Sequence, residues 1–262
     1  MITYSHHIVQ RLRSILYTLY HRLDNNNNAD FHTNGEEQFV NGLFAVLQGP
    51  VTMFDVGGNI GGYTEILTAQ CRNRRLTYAI HVFEPTRSCF STLLKRFSGD
   101  TGVRLNNVGV SDAAGETEIF YDEEQSGFAS LYQRDLSSVN VTMAQKERIS
   151  LVRLDQYIEQ HAIPHIDLLK IDIEGHEIAA FRGLGAYLRP DFIGAIQFEY
   201  GGANLDSGTT LRQIYSMLEG AGFIMTKIMK KGLEVRPYSI RNENYQYANY
   251  VALSPSMLSS LR

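Results

Sequence analysis

A mostly parallel α/β sheet, with helices on both faces and an antiparallel pair at its end, is predicted by three features of this sequence. Short apolar runs alternate with segments of helical period; the first run breaks into glycine at FDVGGNIGGY (54–63); and the last two strand-like stretches, FIMTKIMK and YANYVAL, are separated by polar residues with no helical period. Strand and helix signals in alternation build parallel strands joined by crossover helices, whereas strands with no helix between them pair antiparallel.

The elements follow in order. Ile8, Leu12, Ile15, Leu16, Leu19 and Leu23 recur at helical spacing, with Arg11, Arg13, His21 and Arg22 elsewhere, so an amphipathic helix without acidic residues runs to about His21. The general weight of core packing favours laying it on the main domain or on a partner subunit of an oligomer; peripheral contact with a membrane surface is the alternative. DNNNNAD (24–30) reads as a flexible linker, because Asn side chains compete for backbone hydrogen bonds. Asn34 with Glu37 resembles a capping box, and Phe39, Val40, Leu43, Phe44 and Leu47 continue as a helix ending near Gly49-Pro50. The chain thus divides into a helix and linker, 1–33, and one domain, 34–262.

Within that domain, apolar runs place strands at 51–56, 78–84, 103–110, 116–122, 166–172 and 193–199, and helical periods fall at 61–71, 88–97, 154–160, 177–187 and 209–221. Glu123 to Arg148, of mixed polarity, reads as a long functional loop or lid.

Composition excludes several classes of function. The formal net charge is −4 and no long basic run occurs, so the footprint of a nucleic-acid binder is missing. The two cysteines, Cys71 and Cys89, lack the spacing of a disulfide framework or a thiolate zinc site, which fits a reducing cytoplasm. His6, His7, Gln10, Arg11 and Arg13 interrupt the first residues, so neither a signal peptide nor a transmembrane segment is expected there.

The glycine stretch follows strand 51–56, which delivers Asp55 to its carboxyl end, and glycine lets backbone approach a ligand there. A dinucleotide site needs G-x-G-x-x-G to meet a pyrophosphate with helix amides. Here the order is Asp55-Val-Gly57-Gly-Asn59-Ile-Gly61, and a carboxylate repels an anion. S-adenosylmethionine, with its sulfonium and ammonium groups on an adenosine, suits such a turn better. The second strand ends HVFEP, placing Glu84, followed by Pro85, where ribose hydroxyls are bound; the third ends NVGVSD, placing Ser111 and Asp112 within reach of an adenine. Taken singly, Glu84 equally caps the next helix and Asp112 forms an Asx turn.

LLKIDIEGHE (168–177) gathers Asp172, Glu174, His176 and Glu177 at one strand end. Like charges so close are tolerated where a cation, a metal or a proton-transfer task compensates. Asp172 and Glu199 are hard donors of the kind that bind an oxygen-ligated divalent cation, but no spacing compels one.

Together FDVGGNIGGYT, VFEP, NVGVSD and LLKIDIEGHE, with NGEE (34–37) ahead of them, resemble the FkbM-type family of S-adenosylmethionine-dependent methyltransferases. The resemblance covers roughly residues 34 to 253; Gly58 stands where the family usually has alanine. It implies a class I Rossmann-like domain with a seven-stranded sheet, and methyl transfer to a hydroxyl oxygen of a sugar, glycan or polyketide-type natural product.

Carried onto this chain, the resemblance sets Asp55 and Asp172 at the donor's amino-acid end, with Gly57, Asn59, Gly61, Tyr63 and Thr64 around it. Glu84, Pro85, Ser111 and Asp112 then hold the adenosine, and S-adenosylhomocysteine is the product. His176 ranks first as the acceptor's base by its intrinsic pKa, with Glu174 and Glu199 as alternatives. Glu36, Ser130, Tyr132 and Tyr200 are the expected acceptor contacts. Two rival readings remain: a catalytically silent nucleoside-binding module and, against the glycine spacing, a nicotinamide-dependent oxidoreductase.

Overall fold

The computed structural model describes residues 7–262, so residues 1–6 of the 1–33 segment lie outside the described residues. Helices α1 (His7–Leu23) and α2 (Glu36–Val46) precede β1 (Val51–Val56), α3 (Gly62–Asn73), β2 (Tyr78–Phe83), α4 (Arg87–Phe97) and β3 (Val103–Asn106). Next come β4 (Gly109–Val110), β5 (Gly115–Tyr121), β6 (Gln145–Val152), α5 (Leu154–Gln160), β7 (Ile166–Ile171), α6 (Glu177–Gly183) and β8 (Ile193–Tyr200). Then follow α7 (Gly202–Ser207), α8 (Leu211–Gly220), β9 (Ile224–Met229), β10 (Gly232–Val235), β11 (Ala248–Leu253) and α9 (Pro255–Ser260).

The main sheet runs β10-β9-β11-β8-β7-β1-β2-β3. Its pairs from β3 to β8 are parallel, and those of β11, β9 and β10 antiparallel. The expected seven strands are all present, and β10 adds an eighth at the edge. FIMTKIMK and YANYVAL do pair, as β9 and β11, although β10 intervenes in sequence. The central strands β1, β7 and β8 are buried on both faces, as parallel strands require. On β1, Phe54 and Val56 join one core with Tyr157, Phe181, Ile214 and Leu218, while Val51 and Met53 join the other with Leu43, Phe44, Leu67 and Leu93.

Four expectations need correction. The single strand 103–110 divides into β3 and β4, which belong to different sheets, because Asn106 and Asn107 turn the chain by bonding the carbonyls of Val82, Glu84 and Pro85. The loop 123–148 ends early: from Gln145 it is β6, paired with β5 and β4 in a second, three-stranded sheet. Asn34 does not cap α2 with Glu37; its side chain exchanges two hydrogen bonds with Glu36, and Gly35 occupies the cap position.

The fourth concerns residues 7–30. Every residue from His7 to Tyr20 is exposed, so α1 does not lie on the domain. The Asn-rich stretch is pinned, not flexible: Asn25 bonds the carbonyls of Asn34 and Ile228, Asn26 bonds His21 and Lys227, and Asp24 pairs with Lys227 and Arg236.

Candidate active site

Parallel strands end together, so the turns after β1, β2 and β7 open onto one cleft at the sheet's carboxyl edge. The backbone there is tightly cross-bonded. Gly57 and Gly58 donate to the Phe83 carbonyl at 2.9 and 3.0 Å, and Asp172 donates to the Val56 carbonyl at 2.9 Å. Gly57 has φ +88°, and a Cβ on it would stand 1.8 Å from the Asp172 carbonyl oxygen. Gly61, at φ +89°, starts α3 where a Cβ would meet Phe97 at 2.6 Å. Gly57→Ala combines left-handed strain with a clash against backbone and is expected to cost about 1–3 kcal/mol of stability, read from the urea midpoint.

Asn59 joins the first two motifs. Its N–H donates to Glu84 Oε2 at 2.9 Å and its side-chain amide to the Ser126 carbonyl at 3.1 Å, tying the turn to the 123–144 loop. The other Glu84 oxygen accepts from the Thr86 N–H and hydroxyl at 2.8 and 2.6 Å. Glu84 therefore serves the start of α4 and faces the cleft at once; burial pushes its carboxyl upward.

Of the residues singled out in the sequence, Gly57, Asn59, Glu84, Pro85, Ser130, Asp172, Glu174 and His176 line the cleft. Others stand behind it. Asp55 is fully buried beneath the turn, one oxygen accepting from Thr64 at 2.6 Å and the other without a partner. Ser111 stands behind His176, with Asp112 beside it. Tyr63 donates to Gln197 at 2.6 Å, and Gln197 in turn to Glu36 at 2.6 Å, so both belong to an internal network that includes Asn34 and Asn249. Tyr200 cannot contact an acceptor: it is wholly buried and its hydroxyl donates to Glu243 at 2.8 Å.

The 166–177 strand end is richer than its sequence indicates. Burial alone would lower the Lys170 ammonium, but Asp172, Asp55 and Glu36 outweigh it and hold the group above its ordinary range. Its Nζ lies 3.0 Å from Asp172 and 5.0 Å from the centre of the Tyr63 ring. Arg134, from the long loop, pairs with Glu174 and Asp206. Burial, with Asp172 nearby, raises Glu174 to about 8, and burial raises Glu177, bonded to Gly175 and Asn204, to about 7. Glu199 is raised well above the carboxylate range by burial and by Asp172, Glu174 and Glu177.

His176 has both ring nitrogens engaged, Nε2 at 2.9 Å from the Ser111 hydroxyl and Nδ1 at 3.0 Å from the Tyr132 hydroxyl, and burial lowers its pKa. Oxygens of Asp172, Glu174 and Glu199 lie within 4.8 Å of one another, a spacing a cation could bridge, although Lys170 and Arg134 already supply positive charge to two of them.

Lys170, Arg134 and Gln197 were missed by sequence reasoning. A lysine inside the apolar run LLKID was the available signal, since a buried ammonium requires anionic partners. The apolar cleft wall formed by Ile119, Ile149 and Leu151 was also missed, because β6 was hidden in the loop.

Comparison with known proteins follows the same residues. The model of the methyltransferase FkbM domain matches residues 55–225. Methyltransferase 1 of Beauveria bassiana is 24% identical over 166 residues, covering 57% of this chain and 65% of that protein. Hexuronic acid methyltransferase AglP of Haloferax volcanii is 22% identical over 151 residues, covering 57% and 56%. The chain thus spans less than two thirds of these relatives' lengths. The crystal structure of methyltransferase FkbM from Methylobacillus flagellatus aligns with 92% of this chain and 59% of that one, at 15% identity and a TM-score of 0.46. The matched segment contains every motif that lines the cleft, and the chain belongs to the FkbM family of methyltransferases.

Proposed function

We propose that residues 34–262 form an S-adenosylmethionine-dependent O-methyltransferase domain that acts on a hydroxyl of a sugar, glycan or polyketide-type natural product, with residues 1–33 as its appendage. The observation that carries this reading is the Asn59–Glu84 bond, which holds the glycine turn and the second strand's carboxylate on one cleft beside Asp172. The cleft fits the donor. Gly57 presents bare backbone, Glu84 Oε2 offers free lone pairs to ribose hydroxyls, and the Ile119, Ile149 and Leu151 wall suits an adenine face.

Bound S-adenosylmethionine supplies an already activated methyl group, so the chain's own work is to position an oxygen and remove its proton. Glu199 is the base we favour. No side chain is bonded to it among the described residues, whereas His176 and Glu174 are both engaged. Asp172 orients the donor side with Lys170, and Ser130 and Tyr132 remain the acceptor contacts nearest the base cluster.

The Haloferax volcanii relative, named for hexuronic acid, supports the sugar class. A net charge of −4 supports a small or glycan acceptor over nucleic acid. Cys71 and Cys89, both free thiols, suit a reducing cytoplasm.

Calorimetric titration with S-adenosylmethionine, S-adenosylhomocysteine and NAD tests the reading. Both sulfur nucleosides are expected to bind, with Glu84→Ala weakening them roughly tenfold to a hundredfold, the worth of hydrogen bonds to a charged group. Glu84→Gln, which keeps an acceptor for Thr86, separates lost contact from a loosened turn. Binding of NAD alone, or of nothing, would refute the assignment.

A further inference from the structure

We propose that α1 is an interfacial helix that lays this protein on an anionic phospholipid bilayer. Projected at 100° per residue, Ile15, Ile8, Leu19, Leu12, Leu23, Leu16, Val9 and Tyr20 fall in that order across one arc of about 140°. Arg22 and Arg11 border one side of the arc and Arg13 the other. Among the described residues nothing covers the apolar arc: Ile8 is 79%, Ile15 63% and Leu23 70% exposed. All three arginines are exposed as well.

Charge selects the occupant. The helix contains no acidic residue. A second copy of α1, parallel or antiparallel, would set arginine against arginine along the borders of the contact. Nor is the arc the narrow seam of a coiled coil. A bilayer surface with anionic headgroups accepts all of these features: the apolar side chains sink to the acyl boundary, the arginine stems cover its edge, and the guanidinium groups bond phosphate. No helix among the described residues is long and apolar enough to cross a membrane, so α1 would lie in the plane of the surface.

The junction transmits the attachment. Asp24 pairs with Lys227 and Arg236, and Asn25 and Asn26 are buried against Ile228 and Lys227 near the end of β9, so the end of α1 is fixed to the domain. Asn25 also bonds the carbonyl of Asn34, whose side chain bonds Glu36 in the internal network behind the cleft. This inference is independent of the methyl-transfer reading, because it uses no residue of the cleft.

Flotation of the full chain with vesicles of phosphatidylcholine alone, or of phosphatidylcholine mixed with phosphatidylglycerol, is the test. The protein is expected to float with the mixed vesicles and to partition roughly a hundredfold less onto the neutral ones at low salt, the effect of three arginines near a charged surface. Arg11→Gln/Arg13→Gln/Arg22→Gln should fall to the neutral level, and Leu12→Glu/Leu16→Glu should not float, with S-adenosylmethionine binding and melting temperature unchanged in both. No flotation of the wild type, or equal flotation of the Leu12→Glu/Leu16→Glu protein, overturns the proposal. So does a dimer in light scattering that this variant disperses while the wild type ignores vesicles, which would assign the helix to a second copy.

Discussion

Lys170→Met is expected to destabilise the protein by about 3–5 kcal/mol, the typical consequence of removing one partner from a buried ion pair. Lys170 is 8% exposed and serves Asp172 directly, with Asp55 and Glu36 close enough to raise its pKa. One oxygen of Asp55 has no hydrogen-bond partner, so the ammonium is the nearest compensation for that charge. Methionine fills the space and leaves three carboxylates facing one another. Asp55 and Glu36 respond by taking up protons, which gives the substitution a pH signature. Asp55 and Glu36 are already raised by burial, and losing Lys170 raises them further. A raised folded-state pKa means that the folded protein binds more protons than the unfolded chain. Stability then falls as pH rises from the unfolded value through the folded one. The variant should therefore regain stability as pH is lowered from neutrality toward 5, more steeply than the wild type. Urea midpoints at several pH values decide it, and an unchanged midpoint at neutral pH would mean that the ammonium contributes nothing to the fold.

β1, β2, β7 and β8 were legible because each is a short apolar run ended by glycine, proline or a charged cluster. What escaped depended on neighbours. QKERISLV alternates charged and apolar residues, and only Ile149 on it is buried, so β6 looked like loop until its partner β5 was known. Residues 103–110 look continuous in sequence, yet two asparagine side chains divide them by bonding the end of β2. The amphipathicity of α1 was readable, but a hydrophobic arc states that something covers it and not what. In the site, the ends of β1, β2 and β7 meet at one cleft, whereas Ser111 and Asp112 of NVGVSD stand behind it. Tyr200 could have been rejected from parity alone, since it faces the opposite side of β8 from Gln197 and Glu199. The same parity links Lys170 to Asp172, and the register of β1 against β7 sets Asp55 beside Lys170. Arg134 was beyond such reasoning, because its partner lies across a loop of no regular period.

Glu199→Gln is expected to reduce kcat by about 10²–10⁴, the usual worth of a positioned general base, with little change in S-adenosylmethionine affinity. Intrinsic basicity favours His176, but geometry opposes it. One of its nitrogens must donate and the other accept from the flanking Ser111 and Tyr132 hydroxyls, and burial weakens it further as a base. Glu174 is held by Arg134. Burial, with Asp172, Glu174 and Glu177 around it, raises the Glu199 pKa toward the range where a carboxylate takes a proton at useful pH. The sign follows. A base must be ionised to act, so wild-type kcat should climb as pH rises through a value well above that of an ordinary carboxylate. Because Glu174, raised to about 8, titrates in the same cluster, that limb belongs to the pair and not to Glu199 alone. Glu199→Gln should flatten the limb, whereas Glu174→Gln should shift it downward by removing a like charge. His176→Gln, which can still bond both hydroxyls, should leave the limb in place. Profiles measured on an accepted sugar or hydroxylated natural product separate the candidates: a limb that survives Glu199→Gln and disappears in His176→Gln would return the proton transfer to the histidine.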